Sequence, residues 1–249
     1  MALQIKEHLL TPNSYSRPGI PLKKVRAIAV HYVGNPSSTA IANRNYFETL
    51  KDSKVYASSH YIIGLQGEII RCIPENEVAY ATYDANSYSI SIENCHPKND
   101  GKFNDLTRTS LVALCADICM RYKLNPMTDI IRHYDVPKSN GYRKPCPLYW
   151  VNNEADFIVF KKEVSLKIED VDLKNSVNKM ILKGIGIDAA MWSNTANMDL
   201  KYIPALLGKL GGVVELVNKK IISSPEIWIS GKYTASNVRD LLIKYAKTL

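Results

Sequence analysis

The run VRAIAVHY, residues 25–32, constrains this chain more than any other segment. It is apolar and rich in β-branched residues, it comes after a Pro/Gly-rich approach, and it ends at a histidine. Such a run reads as a buried strand. The segments after it alternate in period. TAIANRNYFETLKDS spaces its apolar residues as a helix does. SSHYIIGLQGEIIRCI reads as a β-hairpin turning at Leu65-Gln66-Gly67. YSISIENC alternates like a strand, and SLVALCADICMRYKL, after Thr107 and Thr109, reads as an amphipathic helix. DIIR is a short strand candidate before a loop rich in Pro, Gly and charge from His133 to Pro147, and NEADFIVFKKEV closes the region as a helix. Alternating strands and helices predict an α/β domain, a central mixed β-sheet flanked by helices, over residues 1–165. The polar stretch SLKIEDVDLKN is expected to be a short linker.

The remainder, residues 173–249, reads as a small all-α C-terminal domain with an internal repeat. VNKMILKGIGIDAAMW (177–192) parallels VNKKIISSPEIW (217–228), with a four-residue insertion in the first copy. Each copy leads through a polar stretch to a helical run, KYIPALLGKL or NVRDLLIKYAKTL. Trp192 and Trp228 are expected in the core of this module, with stacking on sugars as the alternative.

With 46% hydrophobic and 22% charged residues the chain can bury a real core. Its formal net charge of +8 favours anionic partners. The charges are dispersed rather than gathered in a stripe, so no nucleic-acid partner is expected. No segment approaches the roughly 18 apolar residues of a membrane span, so no membrane insertion is expected. The first residues contain no apolar signal core, which implies synthesis in a cytoplasm without a secretory signal; a substrate outside would need another route out. Five cysteines at irregular spacing argue against a disulfide framework, and Cys115 and Cys119 are expected to pack in the core. The oligomeric state stays open.

Three residues have the chemistry of zinc ligands: His31 at the end of the first strand, His133 after DIIR, and Cys146 in the loop KPCP. A catalytic zinc site takes three protein ligands and keeps a fourth position open. Glu93 in SISIEN can be aimed at such a metal by strand alternation and serve as general base, then as general acid. Lys144, two residues before Cys146, falls on the same side of an extended loop and can stabilise an oxyanion. Each of these residues alone has a commoner reading as a solvated or structural group.

Taken together, AIAVHYVGN, SSHYIIGLQGEI, SISIEN and RHYDVPKSNGYRKPCP resemble the zinc amidase family that includes phage lytic amidases and peptidoglycan recognition proteins. The resemblance covers about residues 20–165, with four motifs in order. It implies one Zn2+ per chain on His31, His133 and Cys146. It implies Glu93 as catalytic acid/base and Lys144 as oxyanion stabiliser. Ser59 stands where another branch carries a tyrosine, which favours the glutamate chemistry. Tyr32, Asn35 and His60 are then candidate substrate-lining residues, with a structural role as the other reading of His60; His8 and His96 are expected at the surface. The implied activity is hydrolysis of the amide between N-acetylmuramic acid and L-alanine in peptidoglycan. The C-terminal repeat resembles modules of clostridial and phage lytic enzymes, which implies wall attachment. The resemblance and the missing signal point to a phage endolysin that reaches the wall through a membrane lesion.

Overall fold

The computed structural model describes residues 3–249 and divides the chain into two compact units, Met1–Ser165 and Leu166–Leu249. The first unit is built on a six-stranded sheet. Its strands are β1 (Ile5–Glu7), β2 (Ala27–Val30), β3 (Tyr61–Ile63), β4 (Ile69–Arg71), β5 (Ser89–Asn94) and β6 (Ile130–Arg132), in the spatial order β1-β4-β3-β5-β2-β6. Only the β3–β4 hairpin is antiparallel; every other neighbouring pair is parallel. The expected mixed sheet is therefore present, and β2, which is buried along its whole length, lies inside it between β5 and β6.

Helices cover the sheet because alternate side chains leave it on opposite faces. Helix α1 (Ala40–Ser53) starts where the Thr39 hydroxyl accepts from the Ala42 N–H, and it brings Phe47 and Leu50 onto Ile62 and Ile70. Tyr61, next along β3, donates its hydroxyl to Glu75, which also receives Arg121 and Tyr122 of helix α2 (Asp105–Tyr122). Helix α2 begins earlier than its threonines suggest. Asn104 is the cap, while Thr107 is buried and donates to the Gly64 carbonyl. Cys115 and Cys119 pack in its buried face. Two one-turn helices, α3 (Pro126–Asp129) and α4 (Leu148–Asn152), flank β6 and the loop after it. Trp150 of α4 stacks on Phe160 at 4.7 Å between ring centroids and donates its indole N–H to Asp156.

The stretch expected to be a linker is helical. Helix α5 runs without a break over Glu154–Leu182. Leu173, Val177 and Met180 are fully buried, at the four- and three-residue steps of one helix face, and the intervening Lys174 and Lys179 are good helix formers. Polar composition marked a solvated face, not a loop.

The second unit contains α6 (Ala189–Trp192), α7 (Ile203–Lys209), α8 (Gly212–Asn218), α9 (Pro225–Ile229) and α10 (Ala235–Ala246). Trp192 and Trp228 both belong to one apolar core with Leu206, Leu216 and Leu241. No helix among the described residues is long and apolar enough to cross a membrane.

Candidate metal centre

Three parallel strands deliver the site. In register, Val30 of β2 lies between Ile92 of β5 and Arg132 of β6. The residues just beyond, His31 and His133, therefore leave the carboxyl ends of adjacent strands, the usual place for a ligand on an open α/β sheet. The His31 N–H bonds the Ile92 carbonyl at 2.9 Å, and the Asn94 amide holds the His31 carbonyl at 2.9 Å. The loop after His133 returns Cys146 to the same place, tied by Tyr134 N–H to the Cys146 carbonyl at 3.0 Å.

His31, His133 and Cys146 are all buried, and their donor atoms lie within 4.8 Å of one another. The two imidazole Nδ1 atoms are 3.2 Å apart, and Cys146 Sγ is 3.7 Å from His31 Nδ1. A tetrahedral zinc, with bonds of about 2.0–2.1 Å to nitrogen and about 2.3 Å to sulfur, sets its donors roughly 3.3–3.6 Å apart. The residues thus fit the ion their chemistry suggests. A metal on Nδ1 of His31 leaves the ring proton on Nε2, where the Thr82 hydroxyl oxygen, 2.9 Å away and fully buried, can accept it. Burial is the main reason both imidazoles are held neutral: it lowers His31 well below its ordinary value and His133 to about 4, with the Lys144 ammonium adding to both shifts. Burial likewise pushes the Cys146 thiol up to about 12, against the Tyr32 backbone N–H and Lys144, which favour the thiolate.

Glu93 sits beside these ligands. One of its carboxylate oxygens is buried without a hydrogen-bond partner, and burial raises the carboxyl to about 8, opposed by Lys144. Lys144 itself is exposed. The segment between it and Cys146 is not extended: the Cys146 N–H bonds the Lys144 carbonyl at 2.8 Å, a tight turn about Pro145. The ammonium nonetheless acts on His31, His133, Glu93 and Cys146 together.

The remaining candidates separate. Tyr32 is half-buried, its ring 5.1 Å from that of His96 and packed against Gly101, where positive φ and a Cβ-to-ring distance of 3.1 Å favour glycine. Asn35 is exposed, and its backbone carbonyl accepts from Ser38. His60 does not line an open surface. It is fully buried, its Nδ1 accepts from the Ser91 N–H of β5 and its Nε2 bonds the Glu77 carbonyl, each at 2.9 Å. His96, expected at the surface, is buried beneath Tyr32 because Nδ1 bonds the Lys98 carbonyl at 2.7 Å and folds the ring inward. His8 is exposed. Thr82 and Asn94 escape sequence reasoning: Thr82 lies 51 residues from its partner, in a segment without a motif, and Asn94 reads only as part of a strand.

A family model described as N-acetylmuramoyl-L-alanine amidase matches residues 21–148, more than half the chain and the whole span from His31 to Cys146. This chain belongs to that family. It is similar to the N-acetylmuramoyl-L-alanine amidase BlyA of Bacillus subtilis (strain 168), 35% identical over 176 residues that cover 63% of this chain and 45% of the relative. It is also similar to CwlL of Bacillus licheniformis, 29% identical over 95% of this chain and 65% of that protein. The chain thus spans about half to two thirds of the length of these relatives. Among solved structures, that of PlyL superposes with a TM-score of 0.54 at 24% identity, over 65% of this chain and 96% of that one. The catalytic domain of XlyA gives a TM-score of 0.53 at 21% identity, over 64% and 99%. These superpositions concern the fold.

Proposed function

We propose that this chain hydrolyses the amide joining N-acetylmuramic acid to the L-alanine of the stem peptide, with one Zn2+ on His31, His133 and Cys146. The observation that carries the proposal is the convergence of two imidazole nitrogens and one thiol, with a buried carboxyl beside them, at the carboxyl ends of parallel strands. Bound there, zinc supplies a Lewis acid that activates water and polarises the scissile carbonyl. The protein supplies the proton path. Glu93, one of whose carboxylate oxygens is buried without a hydrogen-bond partner, is suited to take a proton from the attacking water and to return one to the leaving amine. Lys144 offers a positive charge to the oxyanion of the tetrahedral intermediate. Tyr32 and Asn35, a few positions after His31, contact the substrate's sugar and peptide, and Thr82 holds the His31 ring.

Residues 1–165 are the catalytic domain in this reading, and residues 173–249 attach it to the bacterial wall. Attachment keeps an enzyme on a polymeric substrate and raises its local concentration. The whole acts as a phage endolysin, made in the host cytoplasm and admitted to the wall through a membrane lesion. Mass spectrometry of digested walls tests the bond. Intact stem peptides with a new N-terminal alanine are expected, while cleavage inside the peptides or between sugars would replace the proposal.

A further inference from the structure

The second unit holds a cleft of 230 Å³ lined by Asn175, Lys179 and Ile243, and two smaller ones, one in each half, of 160 and 120 Å³. The two smaller ones correspond residue by residue. Asp188, Met191 and Trp192 line the first, and Ser224, Ile227 and Trp228, each 36 positions later, line the second. Tyr202, Leu206 and Lys209 complete the first, and Asn237, Leu241 and Lys244, each 35 positions later, complete the second. Ala205 and Asp240 fill one further equivalent place. In both halves a short helix ending near the tryptophan meets one face of the following helix, with contacts at steps of three and four residues. The repeat gives both halves the same packing, and both keep a tryptophan, a leucine and a lysine at equivalent places around the opening.

The lining defines a ligand. Each of these two clefts is lined by a largely buried tryptophan and aliphatic side chains, with Trp192 and Trp228 only 4% and 8% exposed. Each rim is polar and balanced in charge, with Asp188 and Lys209 in the first cleft and Asp240 and Lys244 in the second. Asp188 caps the N-terminus of α6, and the Glu169 and Asp240 carboxylates both pair with Arg239, so the charges around each cleft are matched. An apolar floor under a neutral polar rim suits a molecule with a C–H face and a hydroxylated edge, and poorly suits a phosphate or a carboxylate. The volumes suit one ring each, and two copies suit a ligand that repeats along a strand.

We propose that the two smaller clefts are equivalent sugar subsites, each taking one uncharged ring of the wall glycan strand. The proposal rests on the wall-attachment reading above and names its ligand. The test uses the full chain with two probes, intact walls and glycan strands freed of stem peptides and attached anionic polymers. Ala205→Trp and Asp240→Trp fill the clefts from exposed helix positions, and Lys209→Ala with Lys244→Ala strips the rims without adding bulk; thermal melting confirms folding. Each single filling is expected to weaken binding to stripped glycan several-fold, and the double filling by roughly tenfold or more, because two-site avidity is lost. The paired alanine variant is expected to weaken it in the same direction. Parent-like binding by the folded double variants would overturn the proposal. A parent that binds intact walls but not stripped strands would overturn the sugar assignment and leave wall attachment standing. A parent that binds neither would remove wall attachment itself, and the subsites with it.

Discussion

The two units differ in what they bury. Every polar or charged residue buried as a whole, among the described residues, lies between Ser16 and His133 in the first unit. The core of the second unit is apolar throughout. All five cysteines also belong to the first unit. An unpaired buried polar group costs about 1–3 kcal/mol, so a fold that keeps several must hold them for a reason. In the first unit His31, His133 and Cys146 converge, and His133 and Glu93 each keep a buried polar atom without a partner. In the second unit the one such side-chain atom among the described residues is the Thr195 hydroxyl.

That contrast is open to attack. His133→Ala has the largest expected effect: loss of stoichiometric zinc by elemental analysis and of nearly all turnover. Full activity in metal-free protein would break the account of the first unit. Glu93→Gln keeps the shape and should keep zinc, yet lose roughly 10²-fold or more in rate, the range of a lost general acid–base. Parent-like turnover would move the proton transfer to another group. Thr82→Val leaves the ligands intact and removes only the partner of His31 Nε2. Zinc affinity should fall by about 10–100-fold in competition with a chelator, as for other losses of a ligand's support. Leu241→Ala probes the opposite unit: it should cost about 2–5 kcal/mol of that unit's stability in denaturant titration. Zinc affinity should be unchanged by it, and a coupled loss would mean that the units do not behave separately.

The smallest effect is on pH. His60 is held neutral, lowered to about 4 chiefly by burial, against an ordinary value of 6.5. A depressed base contributes stability that is complete above the unfolded value and is lost as pH falls. The metal-free protein should therefore weaken progressively from about pH 6.5 to about pH 4, with His133 adding to the same window. A urea midpoint that stays flat across this range would contradict the buried neutral imidazoles.

Much of the fold is legible in the sequence because its signals are local. The apolar run at β2, the hairpin about Gly67 and the alternation of SISIEN each name an element within a few residues. The ligand triad is legible only through motif order, since no spacing rule links positions 31, 133 and 146; the register of β2 with β6 and the turn at Pro145 bring them together. Burial of His60 and His96 is not legible, because it depends on carbonyls of Glu77 and Lys98 that the fold presents and composition does not. The expected linker fails for a related reason. Charge along SLKIEDVDLKN describes the exposed side of a helix whose buried side is carried by Leu173, Val177 and Met180.

The central claim is that His31, His133 and Cys146 hold a catalytic zinc, and X-ray absorption at the zinc edge of the loaded protein tests it most directly. The account predicts two nitrogen neighbours at about 2.0–2.1 Å, one sulfur at about 2.3 Å and one further light atom, with the sulfur lost in Cys146→Ser. A zinc shell without sulfur in the parent protein would contradict it.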